Sequence, residues 1–177
     1  MKDYILNSGL YLGLLQIMLL VFSYFMGIEF SLNETWSLVN AFLPYILLVF
    51  LVIRYKKLIG GFVSFKETFT VTLGILVSGA FIATFFSILM YNYIAPDFAE
   101  LLKQATLDKL FAQLEQLPEG NSMYGVMETL IEQTEAEDIY SPPNQLKAFF
   151  YGLLVQIIFS LIIAAFVKKD KPIEISE

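Results

Sequence analysis

The chain has 177 residues, of which 57% are hydrophobic, and its formal net charge is −6. The apolar fraction exceeds that of ordinary soluble domains, and the negative charge disfavours a protein that neutralises the phosphates of nucleic acid. Cysteine and histidine are both absent, which excludes disulfides, thiolate or imidazole chemistry, and zinc or copper sites with nitrogen or sulfur ligands.

Four long runs hold most of the apolar residues, and about 20 such residues let a helix cross roughly 30 Å of hydrocarbon. The first run is too long for the core of a signal peptide, so it is expected to be retained. We predict an all-α membrane protein: one integral membrane domain, residues 1–177, with an extracytoplasmic helical hairpin inserted at residues 94–144. Its four transmembrane helices are predicted at residues 4–27, 36–53, 65–93 and 146–167.

Basic residues indicate the orientation of the spans, because Lys and Arg are retained in cytoplasmic loops. A cytoplasmic N-terminus leaves only Lys103, Lys109 and Lys147 outside. The basic residues on the inner side are then Lys2, Arg54, Lys56, Lys57, Lys66, Lys168, Lys169 and Lys171. Four crossings place both termini on one side, so the sequence predicts a multi-pass membrane protein with both termini in the cytoplasm.

The loop before the third span carries two local signals. Gly60 and Gly61 predict a sharp turn, because glycine adopts positive φ without steric cost. Ser64 and Glu67 match a capping box, in which each side chain accepts a hydrogen bond from the backbone N–H group of the other residue. The third span is therefore predicted to begin at Phe65.

The segment between the third and fourth spans, residues 92–144, is too long for a bare connection. Its apolar residues lie on one helical face up to Ala105 and on another from Leu107, which predicts two short helices, or one helix that packs on both sides. After a turn at residues 118–121, Ser122 is expected to cap a further helix. The apolar faces of this hairpin can close on each other, lie on the bilayer or receive a partner.

Small residues recur at about every fourth position inside the spans, which lets helix backbones approach closely. The predicted helix-packing positions are Gly9, Gly13, Gly74, Ser78, Gly152 and Ser160. Gln16 and Gln156 extend these stripes, and each amide needs a hydrogen-bond partner in the membrane, which can be the other amide. We interpret both glutamines as structural residues rather than substrate contacts.

The spans lack the groups that most membrane chemistry uses. No Asp, Glu, Lys or Arg lies in the middle of a span, which argues against an ion- or proton-coupled transporter. No nucleophile–base pair or Gly-rich phosphate loop is visible, so no enzymatic activity, catalytic residue or cofactor is predicted. The acidic residues from Glu128 to Asp138 lack the regular ligand spacing of a calcium loop, so we interpret them as a solvated helix surface and predict no metal.

Two segments stand at the ends of the third span: residues 60–69, Gly-Gly-Phe-Val-Ser-Phe-Lys-Glu-Thr-Phe, and residues 91–97, Tyr-Asn-Tyr-Ile-Ala-Pro-Asp. Through these two segments the chain resembles domain-of-unknown-function family 4199. Members of that family are short bacterial inner-membrane proteins with four spans. The resemblance covers almost the whole chain and implies location and architecture, but no catalytic residues. It points to candidate interaction or structural positions at Gly60, Gly61, Ser64, Glu67, Asn92 and Pro96.

These features leave three hypotheses for function. The first is a non-enzymatic accessory or scaffold subunit of a membrane assembly, which contacts lipid and other membrane proteins or copies of itself, and no nucleic acid. The alternative is a protein that binds or transports a lipid or small amphiphile between its helices, with the hairpin as a lid. The third is an enzyme that acts on membrane lipid through external carboxylates.

Overall fold

The computed structural model describes residues 1–118 and 120–170, so the predicted turn residue Glu119 and the basic residue Lys171 lie outside it. Within the described ranges all regular structure is helical apart from one isolated β-bridge. The helices are α1 (Lys2–Met26), α2 (Ile28–Ser31), α3 (Glu34–Leu58), α4 (Phe65–Leu89), α5 (Pro96–Glu115), α6 (Ser122–Ala136) and α7 (Pro142–Val167). A π-helical turn, Met90–Ile94, continues α4.

Four of these helices are long and apolar enough to cross a membrane: α1, α3, α4 with its π-helical turn, and α7. This finding confirms the predicted all-α fold with four candidate spans. α3 extends past its apolar run to Leu58 because its last turns are two-sided, with Tyr55 buried and Lys57 exposed. α7 begins at Pro142, before the apolar run, because proline is well tolerated in the first helical turn, where N–H groups lack partners.

The two ends of the helix bundle differ in charge and in structure. One end, called the basic end here, holds Met1, the loop between α3 and α4, and the chain after α7. Its basic side chains are Lys2, Arg54, Lys56, Lys57, Lys66, Lys168 and Lys169. The opposite end, called the hairpin end, holds α2, α5 and α6.

At the basic end all four spans pack on one apolar core. Leu12 of α1, Leu48 of α3, Ile75 of α4 and Ile163 of α7 belong to it, and the first three are fully buried. Dispersion and close packing hold such a core together in lipid, where burial itself gives little drive for association. The spans therefore converge at this end.

The closest helix contact joins α1 and α4. A Cβ atom on Gly9 would lie 1.9 Å from the Ser78 hydroxyl oxygen, and one on Gly13 would lie 3.0 Å from the backbone oxygen of Gly79. A Cβ atom on Gly74 would lie 2.8 Å from a methyl carbon of Ile5. Only glycine fits these positions, so the small-residue stripes of α1 and α4 meet in this contact.

The small residues of α7 behave differently from those of α1 and α4. Ser160 is fully buried, but at Gly152 no described atom lies within 4 Å of the place where a Cβ atom would stand. Gly152 therefore makes no close helix contact, in contrast to its predicted packing position. The reason is that this position of α7 meets open space rather than a neighbouring helix.

α5 and α6 form a helical hairpin. α5 is one continuous helix through Thr106, which is the second of the two predicted arrangements. The prediction that Ser122 caps α6 is wrong, because the cap is Asn121, whose side chain accepts a hydrogen bond of 2.9 Å from the backbone N–H of Met123. Asparagine is as good an N-cap as serine, and Ser122 is the first helical residue instead.

The hairpin is attached to the spans through α5. Phe98 and Leu102 are buried, and the Lys109 ammonium group donates a hydrogen bond of 2.9 Å to the backbone oxygen of Leu32, next to α2. α6 packs on α5 and buries only Ile131 among its described side chains. α5 therefore covers the hairpin end of the bundle, and α6 lies outside it.

Candidate functional site

A cavity of about 740 Å³ lies between the four spans, in the half of the bundle near the hairpin end. Every span contributes to its wall, and α2, α5 and the chain before α7 border it at the hairpin end. Its polar lining residues are Gln16, Ser23, Ser31, Trp36, Ser37, Asn40, Thr84, Ser87, Tyr91, Tyr140, Gln145 and Gln156. The other lining residues are apolar or small, and none in the described ranges is Asp, Glu, Lys or Arg.

Helical spacing explains why these polar residues meet. On α7, Gln145, Gly152 and Gln156 are separated by seven and four residues, so they share one face, and Asn40 and Pro44 share a face of α3 in the same way. A polar face turned toward lipid would leave its groups without hydrogen-bond partners, so these faces turn inward. Pro44 also has no N–H to donate to the Asn40 carbonyl group, which adds a backbone acceptor near the cavity wall.

Gln16 and Gln156 lie at the inner end of the cavity. Gln156 is about 21 Å along α7 from Pro142, so the cavity reaches about the middle of a bilayer. The side-chain oxygen of Gln156 is buried and accepts no hydrogen bond from the described residues, so the suggested bond from Gln16 is not made at this atom. One turn further along α7, the buried hydroxyl of Ser160 also lacks a partner within the described ranges.

The chain's one tryptophan forms part of the wall. The Trp36 indole N–H donates a hydrogen bond of 2.7 Å to the Ser23 hydroxyl, which in turn donates to the backbone oxygen of Leu19 at 2.9 Å. The rings of Phe22 and Phe30 lie 5.2 Å and 4.9 Å from the Trp36 ring, measured between centroids. Trp36 is thus fixed in place, with one part of its ring available to the cavity.

A hydrogen-bond network closes the hairpin end of the cavity. The Asn92 amide and the Gln145 amide donate to the same backbone oxygen, that of Tyr140, at 2.9 Å and 2.5 Å. The Ser87 hydroxyl donates to the Gln145 side-chain oxygen, and the Tyr91 and Tyr140 rings lie 4.5 Å apart. Burial raises the pKa of the Tyr140 phenol, with a further contribution from Tyr91, so this hydroxyl stays neutral.

The second motif segment builds this network. The π-helical turn at Met90–Ile94 lies at the hairpin-end border of the cavity, and such turns occur frequently at functional sites. It places Tyr91 and Asn92 against Tyr140, which is distant in sequence. Pro96 is the first residue of α5, where its fixed φ suits a helix start. Asn92 and Pro96 do not line the cavity; both line a smaller neighbouring hollow, and Asn92 is linked to the cavity border through its bond to Tyr140.

The least covered part of the cavity wall is marked by one residue of α3 and one of α7. Among the described lining residues only Ser37 on α3 and Ala148 on α7 are exposed. Nearer the basic end, the two helices meet where Tyr45 stacks on Phe159 with ring centroids 4.3 Å apart. α3 and α7 therefore touch on the basic-end side of the cavity, and the exposed part of its wall lies nearer the hairpin end.

The first motif segment lies at the other end of the molecule, in a set of contacts that we call the basic-end clasp. Val63 and Lys169 exchange two backbone hydrogen bonds of 2.9 Å, and the Lys56 ammonium group donates to the backbone oxygen of Val167 at 2.6 Å. Gly60 and Gly61 adopt φ values of 92° and 86°, which only glycine reaches without strain. The clasp joins the loop before α4 to the end of α7.

Only half of the predicted capping box forms at the start of α4. The Ser64 hydroxyl oxygen accepts a hydrogen bond of 3.2 Å from the Glu67 backbone N–H. The Glu67 carboxylate, however, accepts a hydrogen bond of 2.6 Å from the Tyr55 hydroxyl on α3. A phenol supplied by a packed neighbouring helix replaces the local N–H group as its partner.

Replacement of Tyr55 by phenylalanine is expected to lower the free energy of unfolding by about 1.5–3 kcal/mol, because a hydrogen bond to a charged group is lost. Unfolding in mixed micelles of detergent and SDS measures this change. Tyr93→Phe is the matched control, since Tyr93 is 75% exposed and is expected to show no change. Equal stability of the two variants would contradict a structural role for the Tyr55–Glu67 bond.

A smaller hollow of about 360 Å³ lies outside the bundle, and Asp97, Glu100, Lys103 and Asp138 are among its lining residues. In residues 1–118 and 120–170 no three acidic side chains come close enough together to hold a metal ion. Lys103 instead donates to the backbone oxygen of Glu135 at 3.4 Å, on α6. This hollow is therefore a contact region of the hairpin, without a ligand geometry of its own.

The sequence interpretation missed most of the cavity residues. Asn40 and Gln145 were not singled out, although each lies on a polar face in the half of its span near the hairpin end, and Ser87 was interpreted only as a small residue of a packing stripe. The available signal was that all four spans carry uncharged polar residues at helical spacing in this same half. Gln16 and Gln156 were recognised, but as a pair that bonds to itself.

The fold and the cavity together define the class: a protein with four candidate membrane spans, between which lies an uncharged cavity lined by both polar and apolar side chains. Residues 7–169 match the family described as Protein of unknown function (DUF4199), which confirms the resemblance of the two motif segments. The chain belongs to this family. Neither a curated protein nor a solved structure matches it.

Proposed function

We propose that this protein is a non-enzymatic binding protein for a lipid or small amphiphile, which it holds in the cavity between its spans. The observation that carries the proposal is the cavity itself, about 740 Å³ in volume and lined by amide and hydroxyl groups. This volume falls within the range of about 300–1,000 Å³ of small-molecule sites. Helices packed only for structure would fill such a space, because protein interiors are close-packed.

The chemistry of the wall supports binding rather than transfer of ions or protons. Ion and proton pathways in membranes rely on ionisable side chains, whereas the described wall carries none of Asp, Glu, Lys and Arg. Amides and hydroxyls both donate and accept hydrogen bonds, so they suit a polar group that remains neutral. The Gln156 side chain contributes one such amide at the inner end.

The position of α5 supports a role for the hairpin as a lid. Phe98 and Leu102 are buried and line the cavity at the hairpin end. The bond from Lys109 to Leu32 attaches the same helix to α2. Movement of α5 would therefore change the cavity and its hairpin-end border together.

Purification from native membranes in a gentle detergent, followed by native mass spectrometry, tests this proposal. We expect one lipid or other amphiphile to remain bound to each chain, because residues of all four spans line the cavity and can contact it together. Extraction and mass analysis would then identify its chemical class. A chain that is recovered free of any amphiphile under the gentlest conditions would contradict the proposal.

We further propose that the basic end faces the cytoplasm and that the hairpin lies on the outer side of a bacterial inner membrane, because basic residues cluster at the first of these ends. The chain has no cysteine, so single introduced cysteines report without background. Gly125→Cys on α6 is expected to react with a membrane-impermeant maleimide in intact cells. Asp170→Cys is expected to react only after the cells are opened, and the reverse pattern would contradict this orientation.

The accessory or scaffold role stays a prediction, and one observation favours it. α6 exposes Met123, Val126 and Leu130 on its surface, although these residues are apolar. Such a surface fits contact with another membrane protein, a second copy of the chain or the bilayer. Cross-linking from Gly125→Cys in whole cells should give one discrete protein adduct if this role is real, whereas monomer alone would leave ligand binding as the sole proposed function.

A further inference from the structure

The opening of the cavity limits how a ligand reaches it. Ser37 lies about 4.5 Å along α3 from Glu34, and Ala148 lies about 9 Å along α7 from Pro142. These exposed positions are therefore near the membrane surface of the hairpin end. Their neighbours Leu38 and Phe150 are 59% and 63% exposed, as expected of side chains in contact with lipid tails. A molecule in this leaflet can meet the opening without crossing water.

The wall limits the head group that the cavity takes. A phosphate group in a low-dielectric site needs a Lys or Arg partner, because an uncompensated buried charge costs several kcal/mol. The described wall supplies no such partner, but it supplies hydroxyls, amides and the Trp36 indole ring. The Gln156 side chain adds an amide at the inner end of the cavity, and a ligand hydroxyl can bond to an amide as donor or acceptor.

We infer that the ligand is a neutral amphiphile whose head group carries hydroxyls, of the acylglycerol or glycolipid class, and that it reaches the cavity from the bilayer between α3 and α7. This inference rests on the proposed binding function. The head group occupies the cavity and bonds to amide and hydroxyl groups of its wall. The acyl chain lies in the opening between Ser37 and Ala148 and continues into the bilayer.

Quenching of Trp36 fluorescence by brominated lipids tests this inference, because the one tryptophan of the chain lines the cavity. Three probes share a dibromostearoyl chain: its glycerol ester, its methyl ester, and its ester with the anionic glycerophosphoglycerol head group. An amine-oxide detergent is used, since sugar detergents carry hydroxyls that would compete. The glycerol ester is expected to quench saturably at a concentration about tenfold lower than the other two, as for a site built to bond hydroxyls.

Two variants separate the possible outcomes. Gly152→Leu extends an apolar side chain into the cavity, where the head group is inferred to bind, and should remove the saturable quenching, whereas Gly125→Leu, on α6, should retain it. The methyl or anionic ester could instead bind as tightly as the glycerol ester, with Gly152→Leu still abolishing its quenching. In that case the cavity binds amphiphiles, but the inference about the head group is overturned. If quenching by all three probes is the same in Gly152→Leu and in the natural chain, the cavity is not the site, and both proposals are overturned.

The sideways route is tested by the rate of quenching. Ala148→Leu narrows the opening with a larger apolar side chain. The quenching of Trp36 by the glycerol ester should therefore develop several-fold more slowly, whereas the final extent of quenching should stay the same. Phe150→Leu, at a neighbouring exposed position that does not line the cavity, is the control and should leave the rate unchanged. Equal rates in both variants would overturn access between α3 and α7.

Discussion

Replacement of Gly152 by leucine is expected to abolish ligand binding without loss of the fold. Gly152 lines the cavity, and no described atom lies within 4 Å of the place where its Cβ atom would stand. The new side chain therefore enters the cavity instead of a packed contact. Leucine also favours a helix over glycine by about 1 kcal/mol, so stability should be equal or slightly higher. Native mass spectrometry measures the bound amphiphile, and unfolding in SDS mixed micelles measures stability.

Gly125→Leu provides the matched control for this variant. Gly125 is also a helical glycine with no described atom within 4 Å of its Cβ position, but it lies on α6, away from the cavity. The same substitution there should leave the bound amphiphile in place. Retention of the amphiphile in Gly152→Leu at the level of Gly125→Leu would show that the cavity is not its site.

A large loss of stability is expected from Gly13→Leu. A Cβ atom at Gly13 would lie 2.9 Å from the Cβ atom of Ile82 and 3.0 Å from the backbone oxygen of Gly79. Backbone atoms cannot move aside as the end of a side chain can, so α1 and α4 must separate. Overpacking of this kind costs about 1–3 kcal/mol and sometimes more. Unfolding in SDS mixed micelles should begin at a lower SDS fraction than for the natural chain.

Gly152→Leu again serves as the comparison, because it makes the same change in another span. If Gly13→Leu and Gly152→Leu were equally stable, the α1–α4 contact would not be as close as the structure has it. The pair therefore tests two statements at once: that α1 and α4 pack tightly, and that α7 faces open space at Gly152.

The four spans could be predicted from the sequence because the bilayer imposes a simple rule. Backbone polar groups must be bonded within the segment that crosses lipid, so an apolar run of sufficient length becomes a helix. Phe65 was predicted as the start of the third span and is the first residue of α4. The start of this helix could be predicted because it depends on a neighbouring residue: Ser64 directly precedes Phe65 and caps the helix.

Contacts between distant residues could not be predicted in the same way. Glu67 was expected to bond locally to Ser64, but the Tyr55 hydroxyl, from the preceding span, lies within 2.6 Å. The bond between Asn92 and the Tyr140 backbone depends on the π-helical turn and on the chain beyond the hairpin. In both cases the partner is supplied by another helix or loop, whose position depends on the packing of the whole bundle.

The cavity shows the limit of periodicity most clearly. Gly13 and Gly152 look alike in sequence, because each is a small residue in a stripe along an apolar helix. In the structure one is pressed against α4 and the other faces open space. Spacing gives the face on which a residue lies, but not whether two faces meet closely or leave a volume between them. The polar residues of four spans indicate a common face, and only their arrangement in space gives a site.

Photo-cross-linking in the native membrane tests the central claim, that an amphiphile occupies this cavity, most directly. A diacylglycerol with a diazirine near its head group would be irradiated with the protein, and the labelled peptides sequenced. The labels are predicted to concentrate on cavity residues such as Asn40 and Gly152. Labels spread evenly over outward-facing residues such as Phe42 and Phe166, with none in the cavity, would contradict it.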